Sequence, residues 1–289
     1  MIPDALSQLL SATNGQRDVD WEGRSLLLIN DVWGELILSR QGGHLLHYAP
    51  AGGQGFLWTT STPKAVPGAI RGGIPLCWPW FAEPESGEGP MHGVARTADW
   101  QIDAIDEEIE GGVEIHLSPA TRLSEQLQPR VVIRANAQRL SIELVTEHVG
   151  ETPVRMTQAL HAYFAVAHTH SCRIEGLAGA RYLDKLDDFA ERDQIGELGV
   201  RSALDRIYHS SQPLVLDDGS RRLRIAKQGS DSSVVWHPGE KAPGDIPETE
   251  RLGFICIEPA CTRLDPVWLA PGAQHVLALH ASHDDTPRG

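Results

Sequence analysis

Apolar and β-branched residues recur at every second position along nearly the whole chain, in short runs separated by turn residues. Clear cases are 25–29, 35–38, 113–117, 130–135, 140–147, 223–226, 233–236 and 275–280. Period two is the signature of strands, since alternate side chains on a strand share a face. Helical spacing is confined to 3–10 and to a possible turn within 183–189. The 28 glycines and 19 prolines punctuate the runs rather than forming a linker, and the Pro- and Gly-rich stretches 49–55, 83–90 and 238–247 read as loops at the rim of a sheet structure. No composition shift divides the strands into two sets and no repeat is present. The expectation is one all-β domain over 1–289, a β-sandwich, with 1–20 and 284–289 as peripheral termini.

A formal net charge of -14 opposes nucleic acid or an anionic membrane as partner. An anionic substrate must then meet a local cluster of cations. The four cysteines form no CxxC pair, residues 1–10 lack the basic and apolar regions of a signal peptide, and no run approaches the length of a membrane helix. These features predict a soluble, cytoplasmic protein with free thiols.

Residues 70–81, IRGGIPLCWPWF, followed by HGVAR at 92–96, cannot be helical, because glycine and proline both oppose it. Irregular backbone this apolar is expected to be buried and to shape a site. If 91–96 is extended, His92, Val94 and Arg96 point one way. Around 156–165, His161 shares a face with Tyr163, and in FICIEP Glu258 shares one with Cys256 and Phe254. A carboxylate and imidazoles in one apolar pocket can exchange protons, because burial raises a carboxylate pKa and a nearby carboxylate raises that of histidine. Taken singly, His92 and His161 read more readily as structural residues, whereas Glu258 at the end of a buried strand is paired or functional. Arg71 and Arg96 suit a phosphate, as the guanidinium fork stays charged and donates in pairs. Trp78, Trp80 and Trp236 fill a core or present flat walls to a sugar. His168 and His170 resemble a metal pair, but no HExxH motif accompanies them. GxSxG, GxGxxG and P-loop motifs are absent.

In order, IRGGIPLCWPWF at 70–81, HGVAR at 92–96 with Trp100, ALHAYF at 159–164, YLDK at 182–185, VVWHP at 234–238 and CIEPA at 256–260 resemble the glucose-6-phosphate 1-epimerases, the hexose-6-phosphate mutarotases related to aldose 1-epimerases. The resemblance implies a large antiparallel β-sandwich of the galactose-mutarotase type with an open cleft. It implies His161 as general acid and Glu258 as general base for opening the sugar ring, with His92 beside the ring oxygen. Asp184 would hold sugar hydroxyls, Arg71 and Arg96 the phosphate, and Trp236 would line the cleft. His237 stands where asparagine is expected, and Val94 where phenylalanine or leucine is common. The implied activity interconverts the α and β anomers of a hexose 6-phosphate and needs no metal or other cofactor; a monomer is expected. Three alternatives stay open: an aldose 1-epimerase acting on free sugars, a sugar-binding protein without catalysis, and a metal enzyme using His44, His47, His168 and His170.

Overall fold

Along strand Val113–Pro119 the buried residues are Val113, Ile115 and Leu117, with half-buried residues between them. The same alternation runs through Leu127–Ala135. In this computed structural model, which describes residues 1–85 and 87–286, these strands belong to a nine-stranded antiparallel sheet. Its centre is formed by Arg222–Gln228, Gln274–His283, Arg139–His148 and Leu127–Ala135. Facing it is an eight-stranded sheet whose middle strands are Leu204–His209, Ser232–His237 and Phe254–Cys261. One core joins the two: Ile115, Ile133, Ile142, Leu144, Leu277 and Leu279 pack in the same cluster as Tyr208, Val235, Ile255 and Ile257. The architecture is the expected all-β sandwich, its sheets sealed by residues at alternate positions.

All eight runs expected to be strands lie within strands. The expected helix is Asp4–Ser11; its Leu6 and Leu10 are buried against Leu26, Leu28, Ile37 and Leu46 of the first, four-stranded sheet, so this part of the N-terminal stretch is packed rather than peripheral. Residues 183–189 hold one 3-10 turn, Lys185–Asp187. At the other end Asp284 binds Arg222 at 3.0 Å, while 287–289 lie outside the described residues. The four cysteines are free and buried. No helix among the described residues is long and apolar enough to cross a membrane.

Strand Phe254–Cys261 departs from alternation, because every residue in it is buried. Ile255 and Ile257 enter the shared core on one face. On the other, Phe254 and Cys256 pack with Trp58, Tyr163 and Ile246, while Ala260 packs with Cys77, Ala159, Ile207 and Val234. Glu258 projects on that second face, between the two apolar clusters. The covering layer is the irregular segment 70–81 together with the loop after Ser232–His237.

Candidate active site

His161 owes its position to an interrupted ladder. Strand Gln158–Leu160 pairs Ala159 with Ala260, and strand Tyr163–Ala165 pairs Tyr163 with Cys256. Carrying the same register across the gap sets His161 opposite Glu258. Next to Glu258 stands Pro259, which has no N–H to donate. The facing backbone turns at this point, the Ala162 N–H donating to the Leu160 carbonyl at 2.9 Å, a three-residue turn. Segment 70–81 fixes the kink, since the His161 N–H donates to the Pro75 carbonyl at 3.1 Å and the Tyr163 N–H to the Gly73 carbonyl at 2.9 Å. Gly73 has φ +59°, and a Cβ there would lie 2.2 Å from the Leu45 carbonyl oxygen, so only glycine allows this approach.

His161 Nδ1 lies 3.4 Å from Glu258 Oε1. Neither that nitrogen nor either Glu258 oxygen has a hydrogen-bond partner among the described residues, and all three atoms are buried. Glu258 is 1% exposed and His161 9%, so a molecule entering from outside meets the imidazole first. Burial pushes the Glu258 carboxyl well above its usual 4.5, helped by the Asp205 charge and opposed by Lys185. Burial also holds His161 well below 6.5, with His92, Arg71 and Arg96 acting in the same direction. Here the sequence expectation is corrected: the nearby carboxylate does not raise the histidine, because desolvation and three positive or ionisable neighbours outweigh it. Both shifts favour the uncharged forms, a protonated Glu258 beside a neutral His161, over the ion pair.

Around this pair stand His92, Tyr163 and Trp236. The Tyr163 ring stacks on His161 at 4.9 Å, and Trp236 meets it edge-on at 6.1 Å. Residues 91–96 are not extended, another correction. His92 has φ +65° and begins a turn into the 3-10 helix Ala95–Thr97, because Gly93 (φ +76°) lies so close to Trp78 that a Cβ would sit 2.0 Å from its carbonyl oxygen. The turn still delivers His92 to the site, its ring 5.5 Å from that of His161. The Ala82 N–H donates to His92 Nδ1 at 3.2 Å, so the neutral ring carries its proton on Nε2. Burial, then Arg96, Lys185 and Arg71, push the His92 pKa down to about 3, and the ring stays an uncharged donor.

Arg71 and Arg96 both bear on His161, from different anchors. Arg71 Nε donates to Asp245 Oδ1 at 2.8 Å and Nη1 to the Tyr163 hydroxyl at 3.2 Å. Arg96 Nη2 donates to the Met91 carbonyl at 2.6 Å. Asp184 lies elsewhere. It pairs in register with Arg206, Arg206 with Val235, and Val235 with Ile257, which places it on the face opposite Glu258. Its carboxylate accepts from the Leu186 N–H at 3.1 Å and from Arg206 Nε at 3.2 Å, a structural role. The neighbouring Lys185 and the unanticipated Asp205 occupy the site face instead. Asp205 pairs with Trp236, which pairs with Cys256, and the two form an ion pair of 2.8 Å. Strand parity within LDRIYH carried that signal for Asp205.

The remaining histidines do not converge. His44 bonds to the Gly72 carbonyl at 2.8 Å and His47 faces Glu35 at 3.5 Å. His168 Nδ1 accepts from the His170 N–H at 3.2 Å. His237 is buried, with Nε2 on the Arg251 carbonyl at 2.9 Å and Nδ1 accepting from the Gly239 N–H at 3.1 Å, and so ties down the loop that carries Asp245. Trp78 is a core residue donating to Thr146, and Trp80 donates to the Pro90 carbonyl. Among the described residues, the group of potential metal ligands is a different one, His161, Cys256 and Glu258.

Residues 24–282 match the family model described as aldose 1-epimerase. A Salmonella typhimurium protein provisionally named glucose-6-phosphate 1-epimerase is 33% identical over 232 residues, covering 75% of this chain and 76% of that protein. A Cenchrus ciliaris protein of the same provisional name is 28% identical over 296 residues, covering 94% and 86%. The crystal structure of a provisionally assigned mutarotase from Salmonella typhimurium superposes with a TM-score of 0.87 at 24% identity, covering 96% of this chain and 99% of the other. At that identity the superposition speaks for the fold alone.

Proposed function

The chain belongs to the aldose 1-epimerase family, and from that premise we propose that it interconverts the α and β anomers of glucose 6-phosphate and related aldohexose 6-phosphates. The family is one of isomerases acting on sugars. The observation that carries the assignment is the buried His161–Glu258 pair, 3.4 Å apart and free of other hydrogen bonds among the described residues. Opening the ring requires a proton to leave the C1 hydroxyl and one to reach the ring oxygen. A pair holding a single proton does both without net exchange with solvent. Glu258 takes the C1 proton and His161 supplies the ring oxygen; after rotation about the C1–C2 bond the roles reverse and the ring closes on the opposite face. Each positioned acid or base contributes about a hundred- to ten-thousand-fold.

The resting protonation is the reverse of the reactive one, and the substrate corrects it. Burial is the largest cause holding His161 below its usual range, and His92, Arg71 and Arg96 add to it. A phosphate bound beside Arg71 and Arg96 offsets their part of that shift and so favours transfer of the proton from Glu258 to His161, which sets a carboxylate base facing an imidazolium acid. His92 Nε2–H donates to the sugar, and Trp236 and Tyr163 offer flat apolar walls. A free-sugar epimerase is the second reading, because Asp245 already neutralises Arg71 at 2.8 Å. Polarimetry of freshly dissolved α-glucose 6-phosphate and α-glucose, each with and without protein, separates the two. Faster turnover of the phosphate ester supports the proposal, and faster turnover of the free sugar replaces it with the second reading.

A further inference from the structure

Cys256 takes no part in the proton transfers above, yet it stands on the same face as Glu258, two positions along one strand, with His161 supplied by the facing strand. One donor atom from each of these three buried side chains lies within 4.8 Å of the others. We propose that they form a binding site for a single zinc-class divalent cation, which on the functional reading above blocks the enzyme by tying up its acid–base pair.

The geometry and the donor chemistry agree. Two ligands held at about 2.0–2.1 Å around a tetrahedral ion are separated by about 3.3 Å, and His161 Nδ1 and Glu258 Oε1 are 3.4 Å apart. These atoms, with Glu258 Oε2, are buried and without hydrogen-bond partners among the described residues, so no hydrogen bond to a neighbouring residue has to break for them to bind, and the protons of the Glu258 carboxyl and the Cys256 thiol leave to solvent as the cation enters. Sulfur with imidazole selects zinc, cobalt or cadmium over magnesium or calcium, which require sets of oxygen ligands. The thiolate and carboxylate together offset both charges of the cation, leaving a neutral centre in an apolar setting. A water or a substrate hydroxyl would complete a four-coordinate shell. Neither Asp205 nor Lys185 is needed as a ligand; their ion pair remains at the rim.

The test titrates metal-free full-length protein with Co2+ and Zn2+, comparing the wild type with C256S, and with C256A should the serine variant fold poorly. The wild type should take up one Co2+ with a thiolate-to-metal absorption band and the visible spectrum of a tetrahedral ion, and Zn2+ should abolish anomerisation. C256S should keep its metal-free activity, lose the band, and need about tenfold or more Zn2+ for the same inhibition. Absence of the band from the wild type, or cysteine variants as sensitive to zinc as the wild type, overturns the site. A band present in the wild type and lost in C256S, in a protein inactive on every hexose and hexose phosphate, leaves the metal site standing and removes the functional reading instead.

Discussion

His161 and Glu258 face one another across a broken rung of the sheet, Nδ1 to Oε1 at 3.4 Å. The interruption costs the ladder its hydrogen bonds at Pro259 and yields a polar pair enclosed between two apolar clusters. Burial of that kind is expensive for a charge and tolerable for a neutral pair sharing one proton.

The pH profile should reflect the shared proton. Activity is lost on the acid side when a second proton enters the pair, and on the alkaline side when the only one leaves. His161 is held well below 6.5 and Glu258 well above 4.5, so the singly protonated state extends on the acid side well below the usual histidine range. After correction for the substrate phosphate, whose second pKa is about 6, kcat/KM should be flat through pH 6.5 and fall only well below it. A half-maximal rate at pH 6.5 on the acid side would contradict the lowered histidine.

Removing Arg71 should separate the substrates. A hydrogen bond to a charged group is worth about 1.5–3 kcal/mol, so Arg71→Ala should lower kcat/KM for glucose 6-phosphate about tenfold or more and leave glucose nearly unchanged. Equal losses on both sugars would reduce Arg71 to a brace for Asp245 and Tyr163.

Glu258→Gln should become relatively more heat-stable as pH rises. The Glu258 pKa is raised in the fold, so its favourable contribution is complete below the unfolded value near 4.5 and is lost as pH climbs toward the folded one. Glutamine has no such loss. The Tm of E258Q minus that of the wild type should therefore increase between pH 4.5 and pH 8; a decrease over that interval would mean that Glu258 is ionised at rest.

Gly93→Ala should damage the fold rather than the chemistry alone. The added Cβ meets the Trp78 carbonyl at 2.0 Å in a backbone with φ +76°, and that same carbonyl accepts from the Val94 and Ala95 N–H groups. A loss of more than about 2 kcal/mol in urea unfolding is expected. An unchanged midpoint would show that the turn carrying His92 can relax.

Much of this arrangement was legible in the residues. Alternation placed Glu258 with Cys256 and Phe254, and His161 with Tyr163, because a strand's period of two survives even where its hydrogen bonds fail. Opposition of His161 to Glu258 was not legible, since register between distant strands depends on tertiary pairing rather than on either segment. The 91–96 stretch misled for a local reason: Gly93 is packed against Trp78, a contact no spacing reveals. Asp184 was misassigned to the cleft by motif likeness, because its face is set by register with Arg206, Val235 and Ile257 on neighbouring strands. The two pKa directions depend on how completely the pair is enclosed, and enclosure comes from loops the pattern could only mark as loops.

The central claim is that His161 and Glu258 carry out the proton transfers, and the most direct test is the anomerisation rate of α-glucose 6-phosphate on E258Q, measured by polarimetry at equal concentrations of folded protein. Glutamine keeps the shape of the side chain and cannot take a proton at neutral pH, so the rate should fall about a hundredfold or more below the wild type. A folded E258Q that turns the substrate over at close to the wild-type rate would contradict the account.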